Sequence, residues 1–184
     1  AGLALAAQLA RVPQIRTMLV EPKLGPMEKG QADGISVRSM EMFQAFGFAG
    51  KVMRESHWIN ETTFWATVAD APGSSQGRSQ DDSPPSGGGG GHVPPPGGTL
   101  TRVARVQDVP DGISEMPHVL INQARVHDMF LDVMRNSPTR LAPDYGLKVI
   151  DLSVDPTAAD HPVTVTLEHT APGREGRIAK VRAN

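Results

Sequence analysis

Apolar and polar positions recur with two different periods along the chain, and each change of period marks an element. Val126, Met129, Phe130, Val133 and Met134 follow the spacing i, i+3, i+4, i+7, i+8, which places all five on one helical face. Asn122 precedes them as an N-cap, so a helix is predicted from Gln123 to about Asn136. A second helix is predicted after Ser36, with Val37, Met40 and Phe43 on its inner face and Gly47 as its C-cap. Residues 3–11, rich in Ala and Leu and limited by Pro13, read as a third. Residues 49–55 read as a short fourth.

Strand patterns lie between these helices. Residues 17–20 are a short apolar run, the signature of a buried parallel strand. Residues 22–29 hold two prolines and a glycine and read as a loop. Alternation and β-branched residues predict strands over 58–68, 102–107, 118–121, 148–154, 163–168 and 176–182, with a Pro-Gly turn at 172–176 between the last two. The order is helix and strand, paired helices, a sheet excursion, a helix, then an antiparallel meander. That is an α/β chain.

Composition changes this picture in one place. Fifteen of the 28 residues from 71 to 98 are glycine or proline, including the run Gly87 to Gly91. Such a stretch buries too little apolar surface to offset its chain entropy, and a disordered insertion between two strands is expected there. The glycine run lacks the flanking strand, helix and Lys-Ser/Thr of a phosphate loop. Elsewhere composition mainly excludes. With 18 basic against 20 acidic residues, nothing points to a nucleic-acid partner. No cysteine is present, which rules out disulfides and thiolate metal sites and agrees with a reducing, cytoplasmic setting. No apolar run is long enough to span a bilayer, so no membrane association is expected. The start on Ala-Gly, with no basic region before it, reads as a truncated or processed end rather than a signal peptide.

The most informative stretch runs from Gly30 to Phe43. Asp33 stands beside Gly34, which permits a positive φ or close approach to a ligand, and Arg38 follows at the start of a helix. A loop-to-helix junction of this kind offers free N–H groups to anions. The plainer alternatives are an Asx-type turn at Asp33 and an i,i+3 ion pair between Arg38 and Glu41. Further upstream, Glu21 ends the 17–20 strand nineteen positions after Gly2. That spacing matches the third glycine and the ribose-binding acid of a dinucleotide-binding unit whose first strand and first two glycines would precede Ala1.

The order Gly-Gln-Ala-Asp-Gly-Ile-x-x-Arg-x-x-Glu, with Val-Glu-Pro-Lys upstream and Asn-Gln-Ala-Arg-Val-His-Asp downstream, resembles the FAD-dependent aromatic hydroxylases, in particular the phenol 2-monooxygenase and 3-hydroxybenzoate 4-monooxygenase group. The resemblance runs over nearly the whole chain and implies an FAD-binding, Rossmann-like fold with an inserted β-sheet. Residues 1–184 would be part of that domain, truncated at both ends, since the later Gly-Asp motif for the FAD ribityl chain is absent. The implied activity is hydroxylation of a phenol through a flavin C4a-hydroperoxide, with NADPH as cosubstrate and a homodimeric full-length enzyme. Position by position, the resemblance implies that Gly2 and Glu21 meet the cofactor, Gly34 allows its approach, Arg38 meets its pyrophosphate and Gln123 its flavin side. Asp33 would orient the phenol and assist its deprotonation, and His118 would face the aromatic substrate.

Two other readings compete. One is a non-catalytic, Rossmann-like binding module whose Pro/Gly segment recruits a partner. The other is a flavin enzyme of different reaction type, and the Asp33–Arg38 neighbourhood favours the hydroxylase over it. An isolated fragment is expected to hold FAD poorly and to be inactive.

Overall fold

The computed structural model describes residues 1–67 and 100–184. The 71–98 insertion lies outside the described residues. Four helices among the described residues supply most of the core: α1 (Gly2–Leu9), α2 (Val37–Phe46), α3 (Ala49–Glu55) and α4 (Gln123–Arg135). The face predicted on α4 turns inward, with Val126, Met129, Phe130 and Met134 buried and Val133 partly so. Ala6, Ala7 and Ala10 of the first helix and its end let α1 approach α4 closely. Phe130 meets the edges or faces of Phe43, Phe46 and Phe48 at centroid distances of 5.8, 5.1 and 5.1 Å, all near 80°. This aromatic knot locks α2 and the α2–α3 turn onto α4. Gly47 ends α2 in the left-handed conformation at φ 88°, the C-cap its position predicts.

The strands among the described residues form four small sheets. β1 (Leu19–Glu21) pairs in parallel with β7 (Pro143–Tyr145). β6 (His118–Leu120) lies between β2 (Gly34–Ile35) and β3 (His57–Ile59), antiparallel to both. β4 (Glu61–Thr67) pairs antiparallel with β5 (Leu100–Gln107) across the undescribed segment. β8 (Leu147–Val154), β9 (Val163–His169) and β10 (Ile178–Ala183) form the predicted meander. No helix among the described residues is long and apolar enough to cross a membrane.

Several expectations are corrected. The single strand over 58–68 is two, broken at Asn60, whose carbonyl accepts from Asp108 N at 3.1 Å; β3 and β4 then join different sheets. Alternation continues through the break, so it does not reveal the switch. β2 and β7 were not predicted, being only two and three residues long and defined by their partners; β7 also begins on a proline. Gly34 does not have a positive φ: it is an extended residue of β2 paired with Leu120. Ser36 holds the N-cap position of α2, but its side chain makes no cap bond and lies 3.4 Å from Ser39 Oγ instead.

Candidate active site

The β2–β6–β3 sheet organises the site. Ile35, Val119 and Trp58 pair across it on one face, with Val119 fully buried in the core. Directly opposed residues share a face, so Gly34, Leu120 and His57 lie together on the other side, with His118 two residues from Leu120. A Cβ added to Gly34 would lie 3.6 Å from His118 Nε2 and 3.9 Å from Leu120 Cδ2. The glycine therefore leaves a notch on this face, walled by an imidazole and a leucine.

One cleft of about 520 Å³ opens beside the notch, lined by residues 30–33, Glu55, His57 and 120–123. Its wall is a backbone clamp. Gln123, first residue of α4, accepts the Gln31 N–H on Oε1 at 2.9 Å, and Ile121 N donates to Asp33 O at 2.9 Å. Asn122 caps the helix by accepting from Ala124 N at 2.8 Å. Gly30 is required by space: a Cβ there would lie 2.6 Å from Gln123 Cβ and 3.0 Å from Gln123 N. Gln123 is thus more than a first-turn residue; it holds the loop that carries Asp33. The Asp33 carboxylate itself is exposed and has no hydrogen bond or ion pair among the described residues, which removes the Asx-turn alternative.

Glu55 and Arg125 support the same wall and carry no signal in the sequence, since they stand 70 positions apart. Arg125 grips Glu55 with two bonds of 2.9 and 3.1 Å and reaches Asp128 at 3.2 Å. The Arg125 hydrogen bond holds the Glu55 carboxyl below its ordinary range against a smaller opposing effect of burial, and the same bond raises Arg125.

A second cleft of about 430 Å³ lies on the other side of the notch, lined by Ser36, Val37, Arg38, Asp108, Val109 and His118. Arg38 is exposed and has no ion pair among the described residues. The expected alternative partner, Glu41, instead accepts from Ser114 Oγ at 2.7 Å. His118 has a partner that its sequence neighbourhood does not show, Asp108 Oδ2 at 2.7 Å from Nδ1.

Gly2 and Glu21 lie in neither cleft. A Cβ on Gly2 would meet nothing within 4 Å, so packing within the described chain does not demand glycine there. Glu21 ends β1 and accepts the Lys23 N–H at 3.0 Å. Beside it in register is Tyr145, whose hydroxyl is buried with no partner among the described residues. Burial, then the Glu21 charge, raises that phenol above its ordinary range. No group of three or more potential metal ligands occurs among the described residues.

No protein-family model matches the chain. Over its full length it is 50% identical to part of the 3-hydroxybenzoate 4-monooxygenase of Comamonas testosteroni, and over 91% of its length 34% identical to the FAD-dependent monooxygenase terD of Aspergillus terreus. Over this span the chain is related to FAD-dependent monooxygenases. It spans about a quarter of the length of these two relatives, 25% and 24%. The hydroxylase fold is seen in solved structures as well. The flavin-dependent monooxygenase PieE, solved with FAD and substrate, superposes on 99% of the chain with a TM-score of 0.65 at 20% identity, using 27% of its own length. The p-nitrophenol 4-monooxygenase PnpA of Pseudomonas putida superposes on 98% with a TM-score of 0.65 at 15% identity, using 36% of its length.

Proposed function

We infer that the chain is part of a flavoprotein monooxygenase that hydroxylates a phenol of the 3-hydroxybenzoate type, with FAD as cofactor and NADPH and O2 as cosubstrates. The observation that carries this is an uncommitted carboxylate, Asp33, held over a cleft by Gln123 in a chain half identical to a 3-hydroxybenzoate 4-monooxygenase. The full-length protein is read as a cytoplasmic homodimer.

The residues present fit a flavin dinucleotide. Among the described residues, Arg38 has no ion pair in the first turn of α2, and the N-terminal N–H groups of that helix have no side-chain cap. Both suit a pyrophosphate. Glu21, at a strand end, would accept from ribose hydroxyls. Gly34 leaves the sheet face open to a flat ring. When bound, the flavin supplies oxygen activation, and the protein supplies placement and electrostatics. Asp33 would orient the phenol and assist its deprotonation, since the phenolate ring is the better nucleophile. Gln123 keeps the Asp33 loop in register.

The test is the visible spectrum of the purified full-length protein, with NADPH oxidation followed with and without 3-hydroxybenzoate and phenol. A flavin spectrum, substrate-stimulated NADPH consumption and a hydroxylated product are expected. A colourless protein that takes up no added FAD would sink the proposal.

A further inference from the structure

His118 has two ring nitrogens in different surroundings. Nδ1 is 2.7 Å from Asp108 Oδ2, while Nε2 faces the Gly34 notch, 3.6 Å from where a Cβ would stand. The carboxylate behind Nδ1 is held at other points. Asp108 N donates to Asn60 O at 3.1 Å, and Thr62 Oγ1 donates to Asp108 Oδ1 at 3.4 Å. The Asp108 side chain is 16% exposed and that of His118 31%. An ionised carboxylate only accepts, so the hydrogen of a neutral His118 belongs on Nδ1. Nε2 is then left with its lone pair turned toward the notch.

We propose that Asp108 is a positioning residue that fixes this tautomer, so that His118 Nε2 accepts a hydrogen bond from the hydroxyl of a hydroxylated aromatic ligand seated against Gly34. This rests on the hydroxylase reading for the ligand class, whereas the tautomer is a property of the protein alone. A carboxylate behind an imidazole selects its orientation and tautomer without reaching the ligand itself. Glycine at position 34 keeps the acceptor uncovered. The rule excludes ligands without the hydroxyl: a site built to bond a hydroxyl leaves a polar group unpaired when the hydroxyl is missing.

The experiment uses the full-length protein labelled with 15N-histidine, at about pH 8, above the ordinary imidazole range. Wild type is expected to show His118 with Nδ1 protonated and Nε2 bare. D108A is expected to lose that pattern and D108E to retain it. Calorimetric binding is measured in parallel for 3-hydroxybenzoate and for benzoate. D108A is expected to weaken 3-hydroxybenzoate by roughly tenfold, the scale of one hydrogen bond, and to leave benzoate unchanged. If D108A does not fold, wild type and D108E carry both readouts. A protonated Nε2 in wild type, a wild-type pattern retained in D108A, or equal weakening of the two ligands would overturn the proposal. If the protein takes up no FAD, the hydroxylase reading fails, while the nitrogen signals still decide whether Asp108 sets the tautomer.

Discussion

The two clefts beside Gly34 are similar in size, and among the described residues each leaves one charge without an ion pair, of opposite sign in the two. On the Gln123 side, Glu55 is neutralised by Arg125, and the uncommitted charge is the Asp33 carboxylate. On the other side, Asp108 is tied to His118, and the uncommitted charge is the Arg38 guanidinium. A phenol hydroxyl suits the first and a phosphate the second. The grouping cuts across the one expected from sequence, which joined Arg38 with Gln123 on the cofactor and Asp33 with His118 on the substrate. Gly34 reconciles the two, because Asp33 precedes it in the chain and His118 Nε2 faces it.

The largest effect is expected from Asp33→Ala in the full-length protein. The side chain makes no bond within the described chain, so stability should stay within about 0.5 kcal/mol of wild type. Turnover with 3-hydroxybenzoate should fall by about a hundredfold or more, the scale of a lost acid–base group, with FAD affinity unchanged. Arg38→Ala should do the reverse. FAD affinity, measured by equilibrium dialysis, should fall by about ten- to a hundredfold, as for loss of a charged hydrogen-bond donor. The FAD-saturated rate should remain close to wild type. If both variants lower the same quantity, the division of labour between the clefts is wrong.

Gly30→Ala sharpens the comparison by attacking one wall. The added methyl would strike Gln123 backbone and Cβ, so the 30–33 loop must separate from α4. A loss of about 1–3 kcal/mol is expected in denaturant unfolding, with weaker flavin retention. The 15N pattern of His118 should not change, since the second cleft shares none of that wall.

What could be read in advance followed from local chemistry. The bounds of α3, the Asn122 cap and the Gly47 C-cap are set by residues within a few positions of one another. The free state of Asp33 and Arg38 was not readable, because the nearest plausible partners in sequence turn out to be engaged elsewhere or out of reach: Glu41 bonds Ser114, 73 positions away. Asp108 and Glu55 were missed for the complementary reason. Their partners, His118 and Arg125, are delivered by the strand break at Asn60 and by α3–α4 packing, and neither contact leaves a spacing in the chain. The two shortest strands, β2 and β7, exist only through their neighbours.

The smallest effect is expected from Glu55→Gln. The pair with Arg125 is more than a third open to solvent, so its contribution to stability is about 0.2–1 kcal/mol at low salt and less at high salt. Its sign with pH follows from the lowered Glu55 carboxyl. The folded protein releases that proton more readily than the unfolded chain, so the contribution is complete above the ordinary value of 4.5. It fades as pH falls through the lower folded value. Wild type should therefore exceed Glu55→Gln slightly in urea unfolding at neutral pH, and the two should converge in acid. A gap that widens in acid would mean that the Glu55 charge burdens the cleft rather than supporting it. Asp33 would then share its cleft with a second effective negative charge, and the contrast with the Arg38 side would be larger than the ion pairs imply.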